Sequence, residues 1–77
     1  MLKTLLVTLA KNLVDNPDAV VVNEETREDG TVVLKLSVAP DDMGKVIGRQ
    51  GKIAKALRTV IRAASTKENV KAVVEIV

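Results

Sequence analysis

A chain of 77 residues has room for one domain and a small core, and its 47% hydrophobic content excludes a disordered composition. It has no cysteine, histidine, phenylalanine, tyrosine or tryptophan, which excludes a disulfide framework, a thiolate or imidazole zinc site, and catalysis by histidine or cysteine. The formal net charge of +2 hides an asymmetry: residues 1–42 carry four cations against eight acids, residues 43–77 carry eight against two, and Met43 to Lys67 holds seven cations and no acid. A one-sided basic segment points to a face for polyanions; the plainer alternative is a solvated helix face that carries one sign of charge.

The chain opens with Leu2, Leu5, Leu6, Leu9, Ala10 and Leu13 at helical spacing, which predicts an amphipathic helix over about residues 2–15 that packs its leucine stripe into the core. A signal peptide is a poor fit, because threonines interrupt the apolar run and Lys11 and Asn12 end it. No run reaches the length of a membrane span. Asn16-Pro17 stops the helix, since proline disfavours helical angles in the residue before it.

A strand is predicted to start with Ala19-Val20-Val21-Val22-Asn23, and Glu28-Asp29-Gly30-Thr31 reads as a hairpin turn. The second strand alternates, with Val32, Leu34, Leu36 and Val38 toward the helices and Thr31, Val33, Lys35 and Ser37 away from them. The acids Glu24, Glu25, Glu28 and Asp29 around the hairpin are expected to be solvated rather than a metal site or an acid/base pair. Pro40 ends the strand, and Asp41 or Asp42 is placed to cap a short helix from Met43 to Ile47.

Three of the four glycines then fall within Met43-Gly44-Lys45-Val46-Ile47-Gly48-Arg49-Gln50-Gly51-Lys52-Ile53. A turn bracketed by glycines, flanked by cations and opening a helix suits a phosphate, because helix amino ends present unpaired N–H groups and favour negative charge. The longest helix is expected over about Gly51–Ser65, with Ile53, Leu57, Val60, Ile61 and Ala64 as its apolar stripe. After Lys67-Glu68-Asn69 a last strand alternates from Val70 to Val77. The order α-β-β-α-α-β gives a two-layer α+β domain over residues 1–77, a three-stranded mixed sheet with helices on one face.

Val46-Ile47-Gly48-Arg49-Gln50-Gly51 resembles the V-I-G-x-x-G core of KH (K-homology) domains, whose G-x-x-G loop clamps single-stranded nucleic acid along its backbone. The element order resembles the prokaryotic, type II form. Length and surrounding sequence, including Pro17-Asp18-Ala19-Val20 and Ala54-Lys55-Ala56-Leu57-Arg58, resemble small bacterial single-domain KH proteins of the KhpA type. The resemblance implies an RNA-binding protein in the cytoplasm with proposed RNA-chaperone activity. It also implies association with a KhpB (Jag)-type KH protein, and links to cell shape and cell-wall homeostasis. Gly48, Arg49, Gln50 and Gly51 match the clamp, and Val46, Ile47 and, more loosely, Ile53 match apolar positions near the groove floor. Lys45, Lys52, Lys55 and Arg58 join the candidate site by charge and proximity. With no aromatic ring for a base to stack on, weak sequence specificity and salt-sensitive affinity are expected. A single site of this size calls for a second KH surface, from a homodimer or a heterodimer.

Two other classes fit less well. A DNA-binding helix-turn-helix would have glycines where its readers sit, and a protein-interaction module with an idle site would favour an acidic or bulky loop, not Arg49-Gln50. An enzyme fits least: there is no Walker spacing, and no cofactor or metal is implied. On the sheet, Val33, Val73 and Val77 are expected to point away from the helices, as a partner surface or as strand propensity alone.

Overall fold

The computed structural model describes residues 2–77 and, of Arg49 and Gln50, the backbone only. Helix α1 (Leu2–Leu13) leads through one 3-10 turn (Pro17–Ala19) to strands β1 (Val21–Thr26) and β2 (Val32–Ser37), helix α2 (Pro40–Lys67) and strand β3 (Ala72–Ile76). The sheet order is β1-β2-β3, with β1 antiparallel and β3 parallel to the central β2. The two-layer α+β arrangement and the mixed sheet are those expected from sequence.

The register explains the core. Val22 pairs with Leu36, and Leu34 and Leu36 pair with Val74 and Ile76, so these residues share the face that α1 and α2 cover. Leu6 and Ala10 of α1, Leu34 and Leu36 of β2, and Leu57 and Ile61 of α2 are almost fully buried there. Leu13, the last of the leucine stripe, is instead exposed.

Several boundaries differ from the sequence expectation for local reasons. Ala19 belongs to the 3-10 turn, with Pro17 as its first residue and Val20 N–H donating to Pro17 O, so β1 starts at Val21. Val70 is not in β3 either. Asn69 takes φ +61°, its N–H donates to Thr66 O, and the Val70 N–H donates to Ser65 O. That pair of bonds is a Schellman cap, which uses Val70 to close the helix. Neither Asp41 nor Asp42 caps α2: the helix starts earlier, at Pro40 after Ala39, and Asp42 turns back toward the α1 connection.

The two helices expected around the glycine loop are arms of one helical segment. Gly48 keeps right-handed helical geometry, whereas Gly51 has φ +68°, which a right-handed helix cannot continue. A straight helix of its 28 residues would run about 42 Å, and the long axis of the molecule is 34 Å. The bend therefore rests on one residue, not on a four-residue loop.

The outer face of the sheet corrects one expectation. Val33 does point away from the core cluster, but it is only 2% exposed, so it adds nothing to an open apolar patch. Glu25 and Val73 flank it in register, and two ion pairs cross this face, Lys35 to Glu25 at 3.2 Å and Arg27 to Glu75 at 3.6 Å. Arg27 follows β1 and Glu75 lies on β3, so that pair spans the central strand close to Val33. Val77 and Val21, one row further along, remain exposed.

Candidate nucleic-acid interface

The bend at Gly51 divides α2 into an amino arm and a carboxyl arm, and the candidate residues gather along both. Gly44, Lys45 and Gly48 from the amino arm, Lys52 and Ile53 from the carboxyl arm, and Asp15 from the connection after α1 line a cleft of about 560 Å³. Gly44 and Gly48 are one helical turn apart. A Cβ added to either would meet nothing within 4 Å, and neither has a positive φ. The fold does not require glycine at these two positions, although glycine inside a helix costs about 0.5–1 kcal/mol relative to alanine. What the glycines provide is bare backbone on the cleft wall.

A second, smaller cleft of about 200 Å³ lies where the carboxyl arm meets β3, lined by Arg58, Ile61, Arg62, Ala72, Val73 and Val74. Arg58 follows Ile53 by five residues, about 140° around the helix at 3.6 residues per turn. The two clefts thus open on different sides of the same arm. β3 is an edge strand, so its outward backbone groups are free of sheet partners on this side.

Of the residues singled out in the sequence, Lys45, Gly48, Lys52 and Ile53 share the first cleft and Arg58 lines the second. Lys55 is exposed on the carboxyl arm between them. Ile47 is 54% exposed and available to a ligand, while Val46 is 1% exposed and sits in the core, holding the floor from beneath. Gly51 makes the bend. The side chains of Arg49 and Gln50 lie outside the described residues. Sequence reasoning missed Asp15 and Arg62 as lining residues; for Arg62, the signal was its spacing of four from Arg58, which puts both arginines on one helix face.

The positive character of the first cleft is tempered by one buried network. Asp42, 1% exposed, accepts from the Asp15 N–H at 3.0 Å, the Asn16 N–H at 3.0 Å and Asn16 Nδ2 at 3.1 Å. Burial pushes its pKa up, but these three donors and the nearby Lys45 charge outweigh burial and hold the carboxyl below its usual 3.8. The network fixes the end of α1 against the amino arm, and Asp15 then pairs with Lys45 Nζ at 3.2 Å. Among the described residues no group of three or more acids is arranged to hold a metal ion, and no helix is long and apolar enough to cross a membrane.

Comparison with known proteins bears on this geometry. The model of the KhpA/KhpB KH domain matches residues 3–76. RNA-binding protein KhpA of Clostridium acetobutylicum is 62% identical over 76 residues, covering 99% of this chain and all of that protein. KhpA of Caldanaerobacter subterraneus is 55% identical, over 95% of this chain and 96% of its own. KhpA of Listeria monocytogenes is 43% identical over 99% of each. Among solved structures, Aquifex aeolicus Era bound to GDP and aluminium fluoride superposes with a TM-score of 0.64 over 97% of this chain. So does Era in complex with MgGDPNP and nucleotides 1506–1542 of 16S ribosomal RNA. At 15% identity these two show a shared fold, and the chain spans only 29% and 28% of their lengths.

Proposed function

The chain belongs to the KhpA/KhpB KH-domain family, and from that premise we propose that it binds single-stranded RNA along the bent helix α2. The observation that carries this reading is the cleft at the bend. Two bare glycine backbones and two lysines face one space there, in a chain whose family match runs through the same residues. A sugar-phosphate backbone passes close to Gly44 and Gly48, where no side chain stands in the way. Lys45 and Lys52 meet its charge. Ile47 and Ile53 offer apolar surface to the bases, and Arg58 and Arg62 extend the track toward the edge of β3.

The finer reading follows the family resemblance. The protein acts in the cytoplasm as an RNA chaperone or post-transcriptional regulator, and contributes to cell shape and cell-wall homeostasis. It works as a homodimer or with a KhpB/Jag-type partner, since one cleft engages few nucleotides and two linked sites raise effective affinity. The test is binding of labelled single-stranded RNA, single-stranded DNA and duplex DNA at two salt concentrations. Preference for the single strands, with affinity falling as salt rises, is expected. Preference for duplex DNA would favour a helix-turn-helix reading and overturn this one.

A further inference from the structure

Lys45 does not face its cleft unpaired, and the contact that holds it is built in an unusual way. Its partner Asp15 is 77% exposed at the side chain, yet the Asp15 backbone is pinned, because its N–H is one of the three donors to buried Asp42. Asp42 and Lys45 are three residues apart on α2 and so share a face of the helix. The same arm therefore positions both the carboxylate and the ammonium. Exposed ion pairs are weak largely because two side chains must be ordered together; here the short aspartate starts from a fixed backbone. Among the described residues the Asp15 carboxylate accepts no backbone hydrogen bond, so the Asp42 network keeps all its donors without it. With both side chains exposed, the Asp15–Lys45 pair adds little to fold stability, yet the carboxylate stands on the wall of a cleft otherwise lined by lysine, glycine and isoleucine.

We propose that Asp15 is an affinity-setting counterion of the RNA cleft: it holds Lys45 while the cleft is free and competes with RNA phosphate for that ammonium. This rests on the RNA-binding reading above and adds a residue that opposes binding. The formal charge of the Asp15, Lys45 and Lys52 side chains is +1 with the carboxylate in place and +2 without it. A phosphate entering next to Lys45 either displaces Asp15 or shares the lysine with it. In both cases affinity is held below what the two lysines alone would give. The consequence is easier release, which suits a protein that exchanges transient single-stranded segments.

The test is Asp15→Asn, which keeps the backbone N–H and the size of the side chain while removing the charge. Binding of labelled oligouridine RNA is measured across a salt series for the wild type, Asp15→Asn, Lys45→Met and the double variant. Asp15→Asn is expected to bind about two- to fivefold more tightly at low salt, the strength of an exposed ion pair. Its plot of log affinity against log salt should be steeper by about 0.7, one further phosphate contact on a single strand. The gain should fade at high salt, where exposed charges are screened. In the Lys45→Met background, Asp15→Asn should add much less, since the competed ammonium is gone. Unchanged or weaker binding by Asp15→Asn, or the same gain with and without Lys45, overturns the proposal while leaving RNA binding intact. Failure of all four proteins to bind overturns both readings together.

Discussion

Two glycines in this chain adopt left-handed backbone, and their surroundings are opposite. Gly30, at φ +90°, turns the hairpin among Glu28 and Asp29. That turn is closed on itself: the Gly30 N–H donates to Arg27 O, the Arg27 N–H to Thr31 O, and the Thr31 N–H to Asp29 Oδ1. Gly51, at φ +68°, turns a helix between cationic stretches and beside an open cleft. Backbone geometry alone does not mark a binding site. What separates the two turns is the charge that stands nearby and the cleft that opens beside Gly51.

The largest effects that sharpen this comparison come from the two glycines themselves. Gly51→Val is expected to lose about 1–2 kcal/mol or more of stability, because a non-glycine residue is strained in the left-handed region; RNA affinity should fall with the bend. Gly30→Ala carries a strain of similar size, about 1–2 kcal/mol, but should leave RNA binding unchanged in the folded protein. Urea denaturation and RNA titration of the pair separate the two roles. Equal loss of binding in both would mean that binding follows stability alone.

Gly48→Ala should move the two properties in opposite directions. Its backbone is right-handed and a Cβ there meets nothing in the protein, so helix stability should rise by about 0.5–1 kcal/mol. The new methyl stands on the cleft wall, so RNA should bind less tightly. A stabilised variant with undiminished affinity would remove Gly48 from the interface.

Acid provides the next test. Asp29 is held below its usual 3.8 by hydrogen bonds from Thr31, and Asp42 is lowered because its donors outweigh the raising effect of burial. A carboxyl whose folded pKa is depressed favours the folded state above the unfolded pKa and loses that contribution as pH falls through the folded value. Stability should therefore be level near neutrality and decline below about pH 4. Asp42→Asn should flatten that decline and lower stability near neutral pH, read by thermal unfolding across pH. A decline of unchanged steepness in the variant would take Asp42 out of the acid response. The smallest expected change is at Arg62: Arg62→Met should reduce the salt slope of RNA binding by about 0.7 if Arg62 meets one phosphate. An unchanged slope would confine binding to the cleft at the bend.

Most of this architecture could be read from the chain because its signals are local. β2 alternates over Val32 to Val38, α1 repeats leucine at helical spacing, and Asp29-Gly30 marks the turn between strands. The V-I-G-x-x-G string marked the candidate site, and its Gly48 lines the cleft at the bend. What escaped depends on distant partners or on a choice among local alternatives. Asp42 looked like a cap, but its partners Asp15 and Asn16 lie 27 and 26 residues away and appear only once α1 docks on α2. Val33 looked like open surface, but ion pairs between separate strands cross that face. Val70 fits a strand by alternation, yet Asn69 takes the left-handed cap and draws Val70 into the helix end. At Gly48 the chain could have left the helix; it stays helical, and the turn falls on Gly51 alone.

The most direct measurement is RNA binding by a variant carrying Arg49→Asp and Gln50→Asp together, compared with the wild type, with circular dichroism and thermal unfolding run on both. Two acids between Gly48 and Gly51 repel phosphate at the bend. Loss of single-stranded RNA binding is expected, with the helical signal and a cooperative transition retained. Equal binding by both proteins would contradict it, and would assign the bend in α2 a purely structural role.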